Sequence, residues 1–216
     1  GLYLQAEQAA QRGRNTTLEA DALAWRALAE TSNNQHGQAH TNASRAVTLA
    51  QAGTDKNVLA RALDILGTVQ VAQRDLAGAA DTFNREVALT AELDDPMAIY
   101  YAYFNRADVF LKLAEKCDFQ QDAEPCLKSA DLARADLERA QAIVRKLGYA
   151  GLDRSTQDLI GGVERRRGLI RMRQSSNNAL ASIKAFHPTR ASDVLVTEKF
   201  VASGSSSDAL TDGARR

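Results

Sequence analysis

The sequence contains few of the residues that interrupt helices or cross-link a chain. It has three prolines and two cysteines in 216 residues, and its apolar content rests largely on alanine and leucine. Because alanine and leucine lose little on entering a helix and proline is costly there, this composition favours helices. No apolar run approaches the roughly 20 residues of a membrane span, so the sequence predicts no transmembrane segment.

Neither sign of charge is in excess, since 27 acidic residues balance 27 lysines and arginines. A neutral chain has no long-range field that would attract nucleic acid or a membrane surface, so these charges argue against a nucleic-acid partner. Locally, acids outnumber bases from Asp75 to Asp131, and bases outnumber acids from Arg154 to Arg190. One hypothesis from this asymmetry is self-association, with the basic segment of one copy docked on the acidic segment of another.

Small and large apolar residues recur at a step of 40 residues. The small residues at this step are Ala27, Gly67 and Ala107. Large ones lie four residues earlier, at Leu23, Leu63 and Tyr103. Such a fixed period indicates a helical repeat array, in which each unit buries its apolar face against its neighbours.

The second unit shows the pattern most clearly. Leu66 and Gly67 lie on the apolar stripe of a first predicted helix, and Ala79 and Phe83 lie on that of a second. Two helices approach closely only where one of them presents glycine or alanine. The sequence therefore predicts that the helices meet at Gly67 and Ala79, with Phe83 filling the space one turn on.

These residues resemble the tetratricopeptide repeat. Its pattern is Leu-Gly or Ala in the first helix, then Ala, an aromatic residue and Ala in the second; Glu86 occupies the position of the last Ala. The period exceeds the usual value of about 34 residues and resembles that of kinesin light chains and many bacterial regulatory proteins. The resemblance implies an all-α fold, a right-handed α-solenoid of antiparallel helix pairs.

The predicted repeat domain covers residues 1–187, with a truncated first repeat and an insertion at about 117–128. We expect a fourth helix pair, whose first helix is capped by Asp153 and whose second is short, near Asn178 to Phe186. For residues 188–216 the sequence predicts a strand from Asp193 to Val201 followed by a flexible tail. Alternatively, this segment is the start of a further domain. Because the chain opens inside a helical pattern, we expect an excerpt of a longer protein.

The resemblance also implies that a peptide binds on the concave side, which first helices line. The matching positions hold Arg61, Asp64, Thr68, Tyr101, Phe104 and Asp108. Tyr101 and Phe104 are of the type enriched at binding hot spots, although all five aromatic residues from Tyr100 to Phe110 could equally be core. Some relatives hold a C-terminal carboxylate with Lys and Asn at such positions. Neither occurs at them here, which argues against the acidic tail of a chaperone as ligand.

Three further sets of polar residues have alternative interpretations. Arg165 and Arg166 begin a basic run that suits carboxylates or phosphates, or that simply faces solvent. His36 and His40 are four residues apart, but with no third ligand nearby we predict no metal site. Cys117 and Cys126 bracket the insertion. They are either free thiols or a disulfide, and a disulfide would imply an oxidising compartment.

No constellation typical of catalysis or cofactor binding is visible, so the leading hypothesis is a protein–protein interaction scaffold, not an enzyme. The alternative is the sensor region of a larger effector, such as a caspase-like peptidase, cyclase, kinase or transcription regulator. That alternative depends on architecture alone.

Overall fold

The computed structural model describes residues 2–186, and every regular element in that range is an α-helix. The eight helices are α1 (Leu2–Arg12), α2 (Thr16–Ser32), α3 (His36–Ala52), α4 (Lys56–Ala72), α5 (Leu76–Thr90), α6 (Pro96–Lys116), α7 (Glu124–Leu147) and α8 (Ala150–Phe186). The prediction of an all-α chain is therefore confirmed for these residues. The predicted strand from Asp193 to Val201 lies outside the described residues.

Successive helices from α1 to α7 pack against one another, and α2 also contacts α4, which contacts α6. The first part of α8 joins the same array, since Val163 is buried in one cluster with Leu111 of α6 and Leu137 of α7. Two compact units divide the chain, Gly1–Ile170 and Arg171–Arg216. The packed helical array described here is the first unit.

Helix starts repeat at the step found in the sequence. Helices α2, α4 and α6 begin directly after Asn15, Asp55 and Asp95, which are 40 residues apart. Each of these side chains accepts a hydrogen bond from a backbone N–H two or three residues further on, at 2.9–3.3 Å. Such N-caps satisfy donors that the first helical turn leaves free. The repeat is thus present in the backbone as well as in the core residues.

The turns inside the first two complete units are also equivalent. Asn34 lies between α2 and α3 with φ 59°, and Arg74 lies between α4 and α5 with φ 64°. Left-handed backbone is uncommon for residues other than glycine. Its recurrence after 40 residues indicates that both helix pairs are connected in the same way.

The predicted close approach of α4 and α5 at Gly67 is confirmed, and the residue that lies against Gly67 is Phe83, not Ala79. A Cβ atom added to Gly67 would lie 2.6 Å from the Phe83 ring, a separation that packed atoms do not tolerate. Phe83 is only 1% exposed, and Ala79 is fully buried. Glycine at position 67 therefore leaves the space that the aromatic ring fills.

The predicted fourth helix pair is wrong, because α8 continues without a break from Ala150 to Phe186. No glycine or proline follows Gly168 within it, and the polar residues before Asn178 stay helical. The Ser176 hydroxyl donates a hydrogen bond to the carbonyl four residues earlier, which keeps it compatible with a helix. Asp153 is not a cap either: it lies in the first turn of α8 and accepts hydrogen bonds from Gln141 and Arg145.

Candidate functional site

The first helices of the units, α2, α4 and α6, carry the candidate site residues. We call this set the α2–α4–α6 face: Asp21 and Trp25 from α2; Arg61, Asp64 and Thr68 from α4; Tyr101, Phe104, Asn105 and Asp108 from α6. It includes all six residues that the resemblance assigned to a peptide site. Asp21, Trp25 and Asn105 were missed from the sequence, because nothing local indicates which neighbours they reach.

An ion pair connects α2 and α4 on this face. The Arg61 guanidinium contacts the Asp21 carboxylate and lies 5.6 Å from the centroid of the Trp25 ring. Because both charged groups are partly exposed, the pair stabilises the fold by no more than about 1 kcal/mol. Its effect is to hold the guanidinium over the indole, which is 37% exposed. A groove of about 620 Å³ between α1 and α2 adjoins the face at Asp21 and Trp25.

A hydrogen bond connects α4 and α6. The Asn105 side-chain amide donates to the Asp64 carboxylate at 2.7 Å. Burial raises the pKa of Asp64, and the bond from Asn105 opposes that rise. On α5, burial raises the pKa of Glu86 well above its ordinary value, and the negative charge of Asp64 raises it further. Glu86 lies beneath the face and was not predicted as a site residue, although its departure from the repeat pattern was visible.

The aromatic residues of α6 divide between core and surface. Tyr100 is 1% exposed, whereas Tyr101 is 45% exposed and meets the Tyr100 ring edge-on at 5.0 Å. Phe104 is half-buried and packs on Tyr100, with 5.5 Å between ring centroids. Tyr101 is therefore available to a ligand over much of its surface, while Phe104 also serves the core. Asp108 forms an ion pair with Lys112 one turn further on.

The two arginines predicted as partner contacts lie in different environments. Arg165 is exposed. Arg166 donates hydrogen bonds to the carbonyls of Ala114 and Glu115, both at 2.8 Å, and to that of Cys117 at 3.3 Å. The carbonyls at the end of a helix lack intrahelical partners, so Arg166 stabilises the end of α6. Its Nε and Nη2 atoms are thereby engaged within the chain.

The two cysteines form a disulfide in the structure, with 5.5 Å between their Cα atoms. It joins the residue that ends α6 to the first turn of α7, and Cys126 is fully buried. The Arg166 guanidinium lies 4.7 Å from the ring centroid of Phe119 in the same loop. A covalent bond and an arginine thus hold the predicted insertion together.

The described part of the chain offers no metal centre: residues 2–186 contain no cluster of three or more His, Cys, Asp or Glu side chains placed to hold an ion. His36 and His40 lie one turn apart at the start of α3. None of the helices described has the length and apolar character needed to cross a membrane.

Comparison with known proteins adds no family assignment. No protein-family model matches the chain, and no curated protein is significantly similar to it.

Proposed function

We propose that this chain is a protein-interaction module of the tetratricopeptide-repeat type, a right-handed solenoid of antiparallel helix pairs. Its concave side is the α2–α4–α6 face, and its ligand is a peptide or an extended segment of a partner protein. The chain contributes recognition and not catalysis.

The regular placement of the helices supports this architecture. Helices α2, α4 and α6 start at equal intervals and contact one another, whereas α3 and α5 connect them. Within the second unit, Gln70 bonds Thr82 at 2.7 Å, and Gly67 contacts Phe83. From the first contact to the second, the residue number falls from 70 to 67 on α4 and rises from 82 to 83 on α5. An antiparallel helix pair would give this pattern.

The observation that carries the binding proposal is the composition of the face. Its outer helices carry exposed aromatic rings, Trp25 on α2 and Tyr101 on α6. The helix that contacts both, α4, carries the polar groups of Arg61 and Asp64. Interfaces draw much of their affinity from buried aromatic and arginine anchors. Bonds from neighbouring helices already hold Arg61 and Asp64, so less side-chain entropy is lost on binding.

A random-peptide display library selected on the intact chain tests the proposal. We expect the selected peptides to bind Tyr101→Ala and Arg61→Ala at least about tenfold more weakly, the loss typical of one interface anchor. Tyr149→Ala is the matched control, since Tyr149 is 50% exposed but lies between α7 and α8, away from the face. Circular dichroism would establish that all three variants keep their helices.

The proposal fails if the library yields no binder. It also fails if the selected peptides bind the Tyr101 and Arg61 variants as tightly as the unchanged chain.

A further inference from the structure

Glu86 is a buried acid that the proposed function leaves without a role. It is 3% exposed, and its Oε2 atom has no hydrogen-bond partner among the described residues. The corresponding position holds Ala46 in the first unit and Ala140 in the third, both fully buried. An unpaired buried carboxyl costs stability, so its presence where alanine packs elsewhere calls for a compensating interaction.

The helix contacts place Glu86 beside Asp64. Gly67 of α4 and Phe83 of α5 touch. Asp64 lies three residues before Gly67, and Glu86 lies three residues after Phe83, so each is about one turn from that contact. The contacts Gln70–Thr82 and Gly67–Phe83 show that residue numbers fall along α4 as they rise along α5. A step back from Gly67 and a step forward from Phe83 therefore lead towards the same end of the helix pair. Glu86 and Asp64 therefore lie on the same side of the Gly67–Phe83 contact, close enough for the charge of Asp64 to act on Glu86, and Asp64 itself is only half-buried.

Two arginines of the adjoining helices α4 and α6 are engaged elsewhere. Arg61 of α4 pairs with Asp21, and Arg106 of α6 binds Asp136 through two hydrogen bonds of 2.7 and 2.8 Å. Burial and the charge of Asp64 raise the pKa of Glu86 well above its ordinary value. A cation that entered between the two carboxyls would lower the pKa of Glu86 again, because its positive charge stabilises the ionised carboxylate and offsets the repulsion from Asp64.

We infer that Asp64 and Glu86 form a site for the ammonium or guanidinium group of a lysine or arginine side chain that enters through the α2–α4–α6 face. The inference rests on the proposed function, since a basic residue of the bound peptide supplies the cation. Glu86 releases its proton to solvent as the cation binds, so one charge replaces another.

Carboxyl-carbon NMR of the intact chain tests the site directly with n-butylammonium as the probe and n-butanol as its neutral counterpart. We expect saturable shifts of the Glu86 and Asp64 resonances with n-butylammonium only. Glu86→Gln and Asp64→Asn should each weaken that binding at least tenfold. Asp81→Asn, which alters an exposed acid of the same helix, should leave it unchanged.

The inference is overturned if the Glu86 resonance does not respond, if n-butanol produces the same response, or if Glu86→Gln binds n-butylammonium normally. Peptide selection is judged separately. Peptides that require Tyr101 and Arg61 but bind Glu86→Gln unchanged would leave the proposed function standing and remove the inference. Saturable n-butylammonium binding together with peptides indifferent to Tyr101 would uphold the cation site and remove the proposed function.

Discussion

The α4–α5 and α6–α7 pairs occupy equivalent places in the repeat and are held together differently. Helices α4 and α5 have 17 and 15 residues and meet where the Phe83 ring fills the space left by Gly67. Helices α6 and α7 have 21 and 24 residues and are joined by a disulfide and by the pairing of Arg106 with Asp136. The first pair depends on shape, and the second adds covalent and charged links.

The difference shows how a repeat tolerates an insertion. Since α5 starts at Leu76, a 40-residue step would start α7 at residue 116, whereas the longer connection places its start at Glu124. The disulfide in this connection restricts the unfolded loop, so the loop gains less conformational entropy on unfolding. The two pairs should therefore respond to different perturbations.

The largest expected effect is on the shape-dependent pair. Phe83→Ala should lower the free energy of unfolding by about 3–5 kcal/mol, because it removes buried surface and leaves a cavity. Urea denaturation followed by circular dichroism would measure it. Tyr101→Ala is the comparison, since this partly exposed ring makes one edge-on aromatic contact and its loss should lower stability by about 1 kcal/mol. A similar loss in both variants would contradict the packing described for Phe83.

Removing the disulfide should weaken the cross-linked pair. Replacing Cys117 and Cys126 together by serine should lower the free energy of unfolding by about 2–3 kcal/mol, the value expected for so short a closed loop. A reducing agent should lower the urea midpoint of the unchanged chain but not that of the double variant. If neither the double serine replacement nor the reducing agent lowers the urea midpoint, the disulfide does not contribute to stability.

The contact of α8 with the end of α6 offers a matched pair of neighbouring arginines. Arg166→Ala should lower the free energy of unfolding by about 1–2 kcal/mol, because the carbonyls at the end of α6 lose a charged donor. Arg165→Ala should change it by less than about 0.5 kcal/mol, since that side chain is exposed. Equal effects in urea denaturation would remove the structural role assigned to Arg166.

The smallest effect concerns pH and the shape-dependent pair. The pKa of Glu86 is raised well above its ordinary value of 4.5 in the folded chain. Above that value the unfolded chain loses the proton while the folded chain retains it, so the contribution of Glu86 to stability falls as pH rises towards the folded pKa. Glu86→Gln should therefore flatten the decline in stability as pH rises above 4.5.

Urea denaturation at several pH values would measure that slope, with Asp81→Asn as the control for loss of one acidic charge. A slope unchanged in Glu86→Gln would mean that Glu86 ionises normally in the folded chain.

Much of the array could be predicted from the sequence, because the features that specify it are local or periodic. Small residues at Ala27, Gly67 and Ala107 indicate the period, and composition indicates helices. The caps at Asn15 and Asp55 carry the same period and could have been found from their spacing. These features depend on residue type and separation alone.

Other features depend on contacts between distant residues. The bonds of Arg166 reach carbonyls about 50 residues away, and the contacts of Trp25 and Asn105 depend on how each helix is rotated about its axis. The continuity of α8 was missed because serine and asparagine also favour turns; here the Ser176 hydroxyl bonds back within the helix. Sequence spacing does not contain this information.

The even spacing of Asn15, Asp55 and Asp95 makes residues 55–94 an interchangeable building block. The segment begins with its own cap, contains its own turn at Arg74 and its own core contact between Gly67 and Phe83, and ends where the next cap begins. In quasi-one-dimensional arrays, stability is a sum over units and their interfaces. A tandem copy of this segment would lengthen the array by one whole step and set the first helix of the copy against α5, where α6 packs in the structure.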